Sequence, residues 1–208
     1  MARFENYLTE LQEHQGLVPK PLIRPWKDEE IDQVVEALCL AIDSSRFIGM
    51  PIGNFGGSNQ SKGNRAADHF VATVPQHLPA YCQVIGAAGK GYPDLLCVLN
   101  DKGFAMELKA TSNWQDGDSN RRVLTSSPIK MLALIASGSL DNPPPHLICS
   151  VLYRGDGMVT GTRLDFLEPE SEVNIRLEAS TSQKLLAVGP HRSIILPQFK
   201  TFSAQRSG

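Results

Sequence analysis

Apolar side chains recur at helical spacing in the N-terminal part of the chain. Residues 2–15 are predicted to form a short amphipathic helix and residues 28–44 a longer one, because apolar positions lie three or four residues apart. The acids of DEEID, at the start of the second helix, lie where a helix dipole favours them. Residues 16–26 are predicted to be an extended connector, since proline cannot occupy a helix interior. The apolar positions are Phe4, Leu8 and Leu11, then Ile31, Val34, Val35, Leu38 and Ile42, and the prolines are Pro19, Pro21 and Pro25, before Trp26.

The middle and later parts of the chain show strand-like runs. Leu95–Leu99 and Phe104–Leu108 are predicted to form a β-hairpin around Asn100-Asp101-Lys102-Gly103, whose residue types suit a tight turn. A helix is predicted to begin at Pro128, capped by Ser126 or Ser127, and to end before Gly138. The remaining predictions are a glycine-rich loop at 49–63, a helix at 64–73, a short strand at 83–85, a turn at 87–92, strands at 147–153 and 158–167, and shorter strands at 173–177, 185–188 and 194–196.

This order of elements predicts an α/β (α+β) fold with a central mixed β-sheet flanked by helices. We expect an N-terminal helix and proline-rich connector at 1–26, and one domain at 27–208 with its functional core at about 60–150. Hydrophobic residues make up 41% and charged residues 20% of the chain, which excludes collagen-like, disordered and disulfide-scaffold classes.

Nothing in the sequence predicts export or membrane insertion. No apolar run approaches the length that a bilayer requires, and acids stand where a signal peptide would be basic and then apolar. The cysteines are too widely spaced for a CxxC zinc site and are interpreted as buried thiols in a reducing cytoplasm. The acids are Glu5, Glu10 and Glu13, and the cysteines are Cys39, Cys82, Cys97 and Cys149.

The net charge of −2 hides a strongly uneven distribution. Residues 46–65, 121–163 and 189–208 each carry a net charge of +3, whereas residues 1–45 carry −5. Basic patches can therefore coexist with an acidic surface, and a polyanionic partner is not excluded.

The predicted hairpin brings three chemically suited side chains together. If its turn is centred between Asp101 and Lys102, Asp94 stands opposite Lys109, and strand alternation puts Glu107 and Lys109 on one face. Side chains diagonally across such a pair are about 7–8 Å apart or less. The carboxylates of Asp94 and Glu107 and the amine of Lys109 are therefore expected to converge.

This group suits metal-assisted hydrolysis of a phosphodiester. Mg²⁺ prefers oxygen ligands and keeps positions for water and phosphate, so Asp94 and Glu107 are the predicted metal ligands. Lys109 is predicted to hold or help deprotonate the attacking water and to offset charge on the phosphate. The structural alternative is that Asp94 merely begins one strand and Glu107-Leu108-Lys109 ends the next at a solvated sheet edge.

The segments GYPDLL at 91–96 and ELK at 107–109 resemble the PD-(D/E)xK nuclease superfamily, and type II restriction endonucleases in particular. Three further segments, GNRAADHF, GKG and SSPIK, extend the resemblance over about residues 60–135. The resemblance implies a restriction-endonuclease-like core, dependence on Mg²⁺ and 5′-phosphate products. It also implies a homodimer that cuts both strands of a short palindrome in double-stranded DNA, in a prokaryotic cytoplasm.

Secondary metal and DNA contacts are expected around this core. The resemblance puts Asp68 on the helix whose acid often supports the metal, and the backbone carbonyl of Leu108 is a further candidate ligand. His69 is interpreted as a surface or packing residue, and Trp114 as a core residue or a wedge against DNA. Charge and loop position suggest DNA contacts, each equally open to interpretation as a solvated side chain, at Lys62, Asn64, Arg65, Lys90, Asn120, Arg121, Arg122 and Lys130.

Two other functions remain open at this point. A structure-selective repair or recombination nuclease, such as a junction resolvase, could use the same core, although resolvases are often smaller and more basic. A non-catalytic DNA-binding or phage structural protein could retain the fold, although the complete Asp, Glu and Lys set favours an enzyme.

Overall fold

The computed structural model describes residues 2–53, 56–87, 92–112 and 128–173, all within one compact unit, Met1–Asn174. The fold is α+β. The described α-helices are α1 (Phe4–His14), α2 (Asp28–Ser45), α3 (Asn59–Thr73) and α4 (Pro128–Ala136), with a 3-10 turn at Pro75–His77. The described strands are β1 (Ala2–Arg3), β2 (Cys82–Ala87), β3 (Leu95–Leu99), β4 (Lys102–Thr111), β5 (His146–Tyr153), β6 (Val159–Leu167) and β7 (Glu172–Val173).

Five strands form the central sheet in the order β2-β3-β4-β5-β6, and β1 pairs with β7 in a separate ribbon. The pair β4–β5 is parallel, whereas β2–β3, β3–β4 and β5–β6 are antiparallel. The mixed sheet expected from the sequence is therefore confirmed.

Helices cover both faces of the sheet because β4 alternates between two buried clusters. Phe104, Met106 and Leu108 pack in the larger cluster with residues of α2 and α3. Ala105, on the opposite face, packs in the smaller cluster with Phe4 of α1 and Met131 of α4. Glu107 and Lys109 share the face of Ala105. They lie further along β4 than Ala105, next to the smaller cluster.

The hairpin has a different register from the one expected. Leu95 pairs with Met106 and Leu99 with Lys102, so Asp94 stands opposite Glu107 rather than Lys109. The two turn residues are Asn100 and Asp101, whose φ angles are 47° and 66°. A two-residue turn of this kind requires left-handed backbone at both positions, which asparagine and aspartate tolerate better than lysine does. The shift of two residues preserves which side chains share a face.

Helix α3 begins earlier than the sequence pattern predicted. The predicted glycine-rich loop reached residue 63, but the helix begins at Asn59 because the side chain of Ser58 caps it by accepting a hydrogen bond from the amide of Ser61. Strands β2 and β4 are likewise longer than predicted. Cys39 is exposed rather than buried, since it faces outward on α2, whereas Cys82, Cys97 and Cys149 are buried as expected.

The connector between α1 and α2 has neither helix nor strand, as predicted, and it contributes to the core. Leu22, Ile23 and Trp26 are at most 7% exposed. The indole Nε1 of Trp26 donates a hydrogen bond to the carbonyl of His146, 2.8 Å away, so the connector is fastened to the start of β5.

Several predictions fall outside the described residues: the helix cap at Ser126 or Ser127, and the strands at 185–188 and 194–196 with most of 173–177. Among the described helices, none is long and apolar enough to cross a membrane.

Candidate active site

The candidate site lies where β3 begins and β4 continues past it. Asp94 immediately precedes β3, and Glu107 and Lys109 follow the last paired residue of the hairpin, Met106. Beyond Met106, β4 pairs only with β5 among the described strands, so its other edge is available to side chains.

Two backbone-to-carboxylate hydrogen bonds tie Asp94 to the Glu107-Leu108 segment across this edge. The amide of Asp94 donates to Oε2 of Glu107 at 3.2 Å. The amide of Leu108 donates to Oδ2 of Asp94 at 2.9 Å. Each carboxylate thus takes a position where a backbone ladder bond would otherwise continue the hairpin, and both carboxylates are fixed on one side of β4.

Lys109 completes the group. Its Nζ donates to Oε1 of Glu107 at 2.5 Å, with 20% of the lysine side chain and 7% of the glutamate side chain exposed. Burial raises the pKa of Glu107, and the charge of Asp94 raises it further, while Lys109 acts in the opposite direction. The net result is a raised pKa, as expected for a buried carboxylate beside a second one.

Lys130, predicted only as a DNA contact, lies beside the acids. Its Nζ donates to the carbonyl of Pro93 at 3.2 Å. Burial lowers the pKa of Lys130, and the nearby carboxylates of Asp94 and Glu107 oppose that shift. A second ammonium group, on α4, therefore acts on the same two carboxylates. Sequence separation hid this contact, which only the docking of α4 creates.

The other candidate metal ligands fall into two cases. In an extended strand the N–H and C=O of one residue point the same way, so the carbonyl of Leu108 faces the side on which Asp94 lies. Asp68, by contrast, is exposed on α3. Among the described residues, no group of three or more His, Cys, Asp or Glu side chains is placed to hold a metal ion, so Asp68 does not join the acid pair.

Three of the predicted DNA contacts lie on the N-terminal half of α3. A methyl group at Gly63 would lie 3.8 Å from the carbonyl oxygen of Ala110, so this part of the helix crosses β4 one residue beyond Lys109. Asn64 is exposed, Lys62 is partly exposed, and Nη1 of Arg65 donates to the carbonyl of Gly56 at 2.6 Å. The candidates Lys90, Asn120, Arg121 and Arg122, and Trp114, lie outside the described residues.

His69 belongs to packing, as the sequence suggested. Its ring stacks on Phe47 with centroids 5.4 Å apart. Burial lowers its pKa.

A buried tyrosine and histidine next to the site were missed by sequence reasoning. The hydroxyl of Tyr92 is hydrogen-bonded to Nδ1 of His146, and Nε2 of His146 lies 2.7 Å from the carbonyl oxygen of Leu22. Both side chains are fully buried, and their rings stack at 5.5 Å. The sequence offered only a weak signal, namely that a tyrosine and a histidine adjoin predicted strands.

Comparisons with protein-family models, with curated proteins and with solved structures found no match to this chain. The function proposed below therefore rests on the residues of the chain alone.

Proposed function

We propose that the protein is a Mg²⁺-dependent endonuclease that hydrolyses phosphodiester bonds of double-stranded DNA. The observation that carries this proposal is the arrangement of Asp94 and Glu107, each of whose carboxylates accepts a backbone hydrogen bond across the hairpin, with Lys109 on the same face of β4. These are the residue types that metal-assisted phosphodiester hydrolysis uses, and the fold brings them together from two strands.

The residues fit a divalent cation. No described residue donates a hydrogen bond to Oδ1 of Asp94, and the carbonyl of Leu108 faces the same side of the strand. Mg²⁺ is commonly held through one or two carboxylates while water and phosphate complete its shell, so a third acid is not required. The raised pKa of Glu107 also fits, because a cation offsets the burial and the repulsion that raise it.

Asp94, Glu107 and the Leu108 carbonyl would hold the cation. A bound Mg²⁺ supplies Lewis-acid polarisation of the phosphate and lowers the pKa of a coordinated water. Lys109, whose Nζ is fixed by Glu107, is suited to hold or help deprotonate the attacking water and to offset charge on the phosphate. Lys130 adds a second positive charge beside the same acids.

The finer proposal is a type II restriction endonuclease with a restriction-endonuclease-like core, acting as a homodimer on a short palindrome in a prokaryotic cytoplasm. It rests on the resemblance of GYPDLL and ELK to that group. The basic side chains Lys62, Arg65 and Lys130 support it as phosphate contacts. Lys62 and Arg65 lie within two residues of Gly63, which approaches Ala110 of β4, and Lys130 contacts Pro93 beside Asp94.

The experiment that tests the enzyme proposal is cleavage of supercoiled plasmid by the purified protein, with Mg²⁺ and with an excess of chelator. Asp94→Asn and Lys109→Ala test the site, and Asp101→Asn and Lys102→Ala are the matched controls. The controls change the same residue types in the hairpin turn and at the far end of β4, where both side chains are exposed.

The proposal expects nicked or linear plasmid only with Mg²⁺, from the wild-type protein and both controls but from neither site variant. Discrete fragments from linear DNA would support sequence recognition, whereas selective cleavage of a four-way junction would support the resolvase alternative. Plasmid left intact by the wild-type protein at every metal tested, with DNA binding retained, would favour a non-catalytic DNA-binding protein.

A further inference from the structure

The segment that leads into the candidate site is fastened at three consecutive residues. The hydroxyl of Tyr92 is bonded to His146, the carbonyl of Pro93 accepts from Lys130 at 3.2 Å, and the amide of Asp94 donates to Glu107 at 3.2 Å. Strand pairing begins only at Leu95. The placement of the Asp94 carboxylate therefore depends on these side-chain contacts as well as on the sheet.

The contact of Tyr92 reaches across β4. Leu96, Ala105 and His146 stand in one row of the sheet, on β3, β4 and β5 respectively. Ala105 is fully buried in the same cluster as Tyr92, so the tyrosine ring packs on the face of the sheet that carries Ala105. Tyr92 thus links the start of β3 to the start of β5.

The hydrogen-bond roles in this link follow from the partners. The carbonyl of Leu22 can only accept, so Nε2 of His146 carries the proton and donates to it at 2.7 Å. Nδ1 of a neutral imidazole can only accept, so the hydroxyl of Tyr92 donates to it. Burial lowers the pKa of His146 to about 4, which keeps the ring neutral near pH 7.

We infer that Tyr92 is a positioning residue for Asp94, acting through His146 and the carbonyl of Leu22. The contacts run from Leu22 in the connector, through His146 at the start of β5, to Tyr92, which is two residues before Asp94. The expected effect of Tyr92 on metal binding rests on the proposed function, but its effect on the placement of Asp94 does not. Removing a partner that orients a metal ligand commonly lowers metal affinity by about 10–100-fold.

The test compares Tyr92→Phe with Tyr153→Phe in the full-length protein. Both variants remove one hydroxyl from a buried tyrosine, but Tyr153 packs in the larger cluster on the opposite face of the sheet. His146→Phe is a second variant that removes the same link from its other side. One measurement is amide hydrogen exchange at Asp94 and Leu108, referred to the slowest core amides and to Gly103, at the far end of the hairpin. The other is Mn²⁺ affinity by titration calorimetry.

If Tyr92 positions Asp94, Tyr92→Phe and His146→Phe should lower protection from hydrogen exchange at the Asp94 and Leu108 amides. The ratio of the exchange rate of Gly103 to that of the slowest core amides should not change. Mn²⁺ should bind about 10-fold more weakly. Tyr153→Phe should do neither. Unchanged protection at Asp94 and Leu108 in Tyr92→Phe would overturn the inference. If the wild-type protein binds no Mn²⁺, the proposed function fails, and the exchange result still decides whether Tyr92 positions Asp94.

Discussion

Asp94 and Glu107 stand opposite each other at the point where the hairpin ladder ends, and the Asp94 amide donates to Oε2 of Glu107 at 3.2 Å. The side chain of Asp94 in turn accepts from the amide next to Glu107, that of Leu108. Two carboxylates are thereby held together although like charges repel. Two carboxylates held in this way favour a neighbouring cation, and the ammonium group of Lys109 is one.

Replacement of Lys109 by alanine is expected to lower the rate of DNA cleavage by at least about 100-fold, as removal of a group that stabilises developing charge does. Binding of DNA in Ca²⁺ should remain, because the acids and the basic side chains of α3 are unchanged. Single-turnover cleavage and a Ca²⁺ binding titration measure the two effects. Lys102→Ala should match the wild-type protein in both, and cleavage by Lys109→Ala near the wild-type rate would remove Lys109 from the catalytic group.

Asp94→Asn and Glu107→Gln should each remove cleavage and weaken Mn²⁺ binding in calorimetry. Both amides keep an oxygen that can accept the bonds from Leu108 and Asp94, so the hairpin should fold. Each substitution removes the negative charge of one proposed metal ligand. Asp101→Asn serves as the control in the hairpin turn, and wild-type Mn²⁺ affinity in both site variants would refute their role as ligands.

Lys130→Ala separates a DNA contact from a purely structural lysine. If Lys130 meets a phosphate, the slope of log binding constant against log salt concentration should shrink by about one unit. Removal of a cation beside Asp94 and Glu107 should also leave metal affinity equal or higher, since the ammonium group no longer competes. Fluorescence titrations of DNA at several salt concentrations, with Lys102→Ala alongside, measure the slope. An unchanged slope would show that Lys130 only braces Pro93.

The buried His146 predicts a loss of stability in acid. Its pKa in the folded state is lowered to about 4 from 6.5. Between these two pH values the histidine therefore binds a proton in the unfolded chain but not in the folded protein. The contribution of neutral His146 to the free energy of unfolding is intact above pH 6.5. It falls progressively down to pH 4, by about 3 kcal/mol in total. Urea unfolding between pH 7 and 4 measures it. His146→Phe should show a correspondingly flatter pH dependence, and equal slopes for both proteins would contradict the assignment.

Much of the fold was predictable because it depends on local patterns. The alternation of Phe104, Met106 and Leu108 against Ala105, Glu107 and Lys109 fixed the faces of β4, and the structure keeps them. The register was not predictable from that alternation alone, since a shift of two residues preserves the faces. It depends on which turn residues adopt positive φ, and Asn100 and Asp101 do so here.

The rest of the site depends on tertiary packing. Lys130 reaches Pro93 only because α4 docks on the face of the sheet that carries Ala105, and His146 meets Tyr92 only across an intervening strand. The role suggested for Asp68 stays a prediction: the residue is exposed on α3, and among the described residues it forms no metal-binding group with the acid pair. Local periodicity cannot reveal contacts between distant elements, and these residues required the structure.

Sequencing of the DNA ends formed when the wild-type protein digests a mixed linear DNA substrate with Mg²⁺ tests the central claim most directly. The account predicts new ends that carry 5′-phosphates, that recur at one short sequence and that are absent with chelator. The same ends should also be absent from a digest by Asp94→Asn. Ends that are equally frequent in the wild-type and Asp94→Asn digests, or that form without a divalent metal, would contradict it.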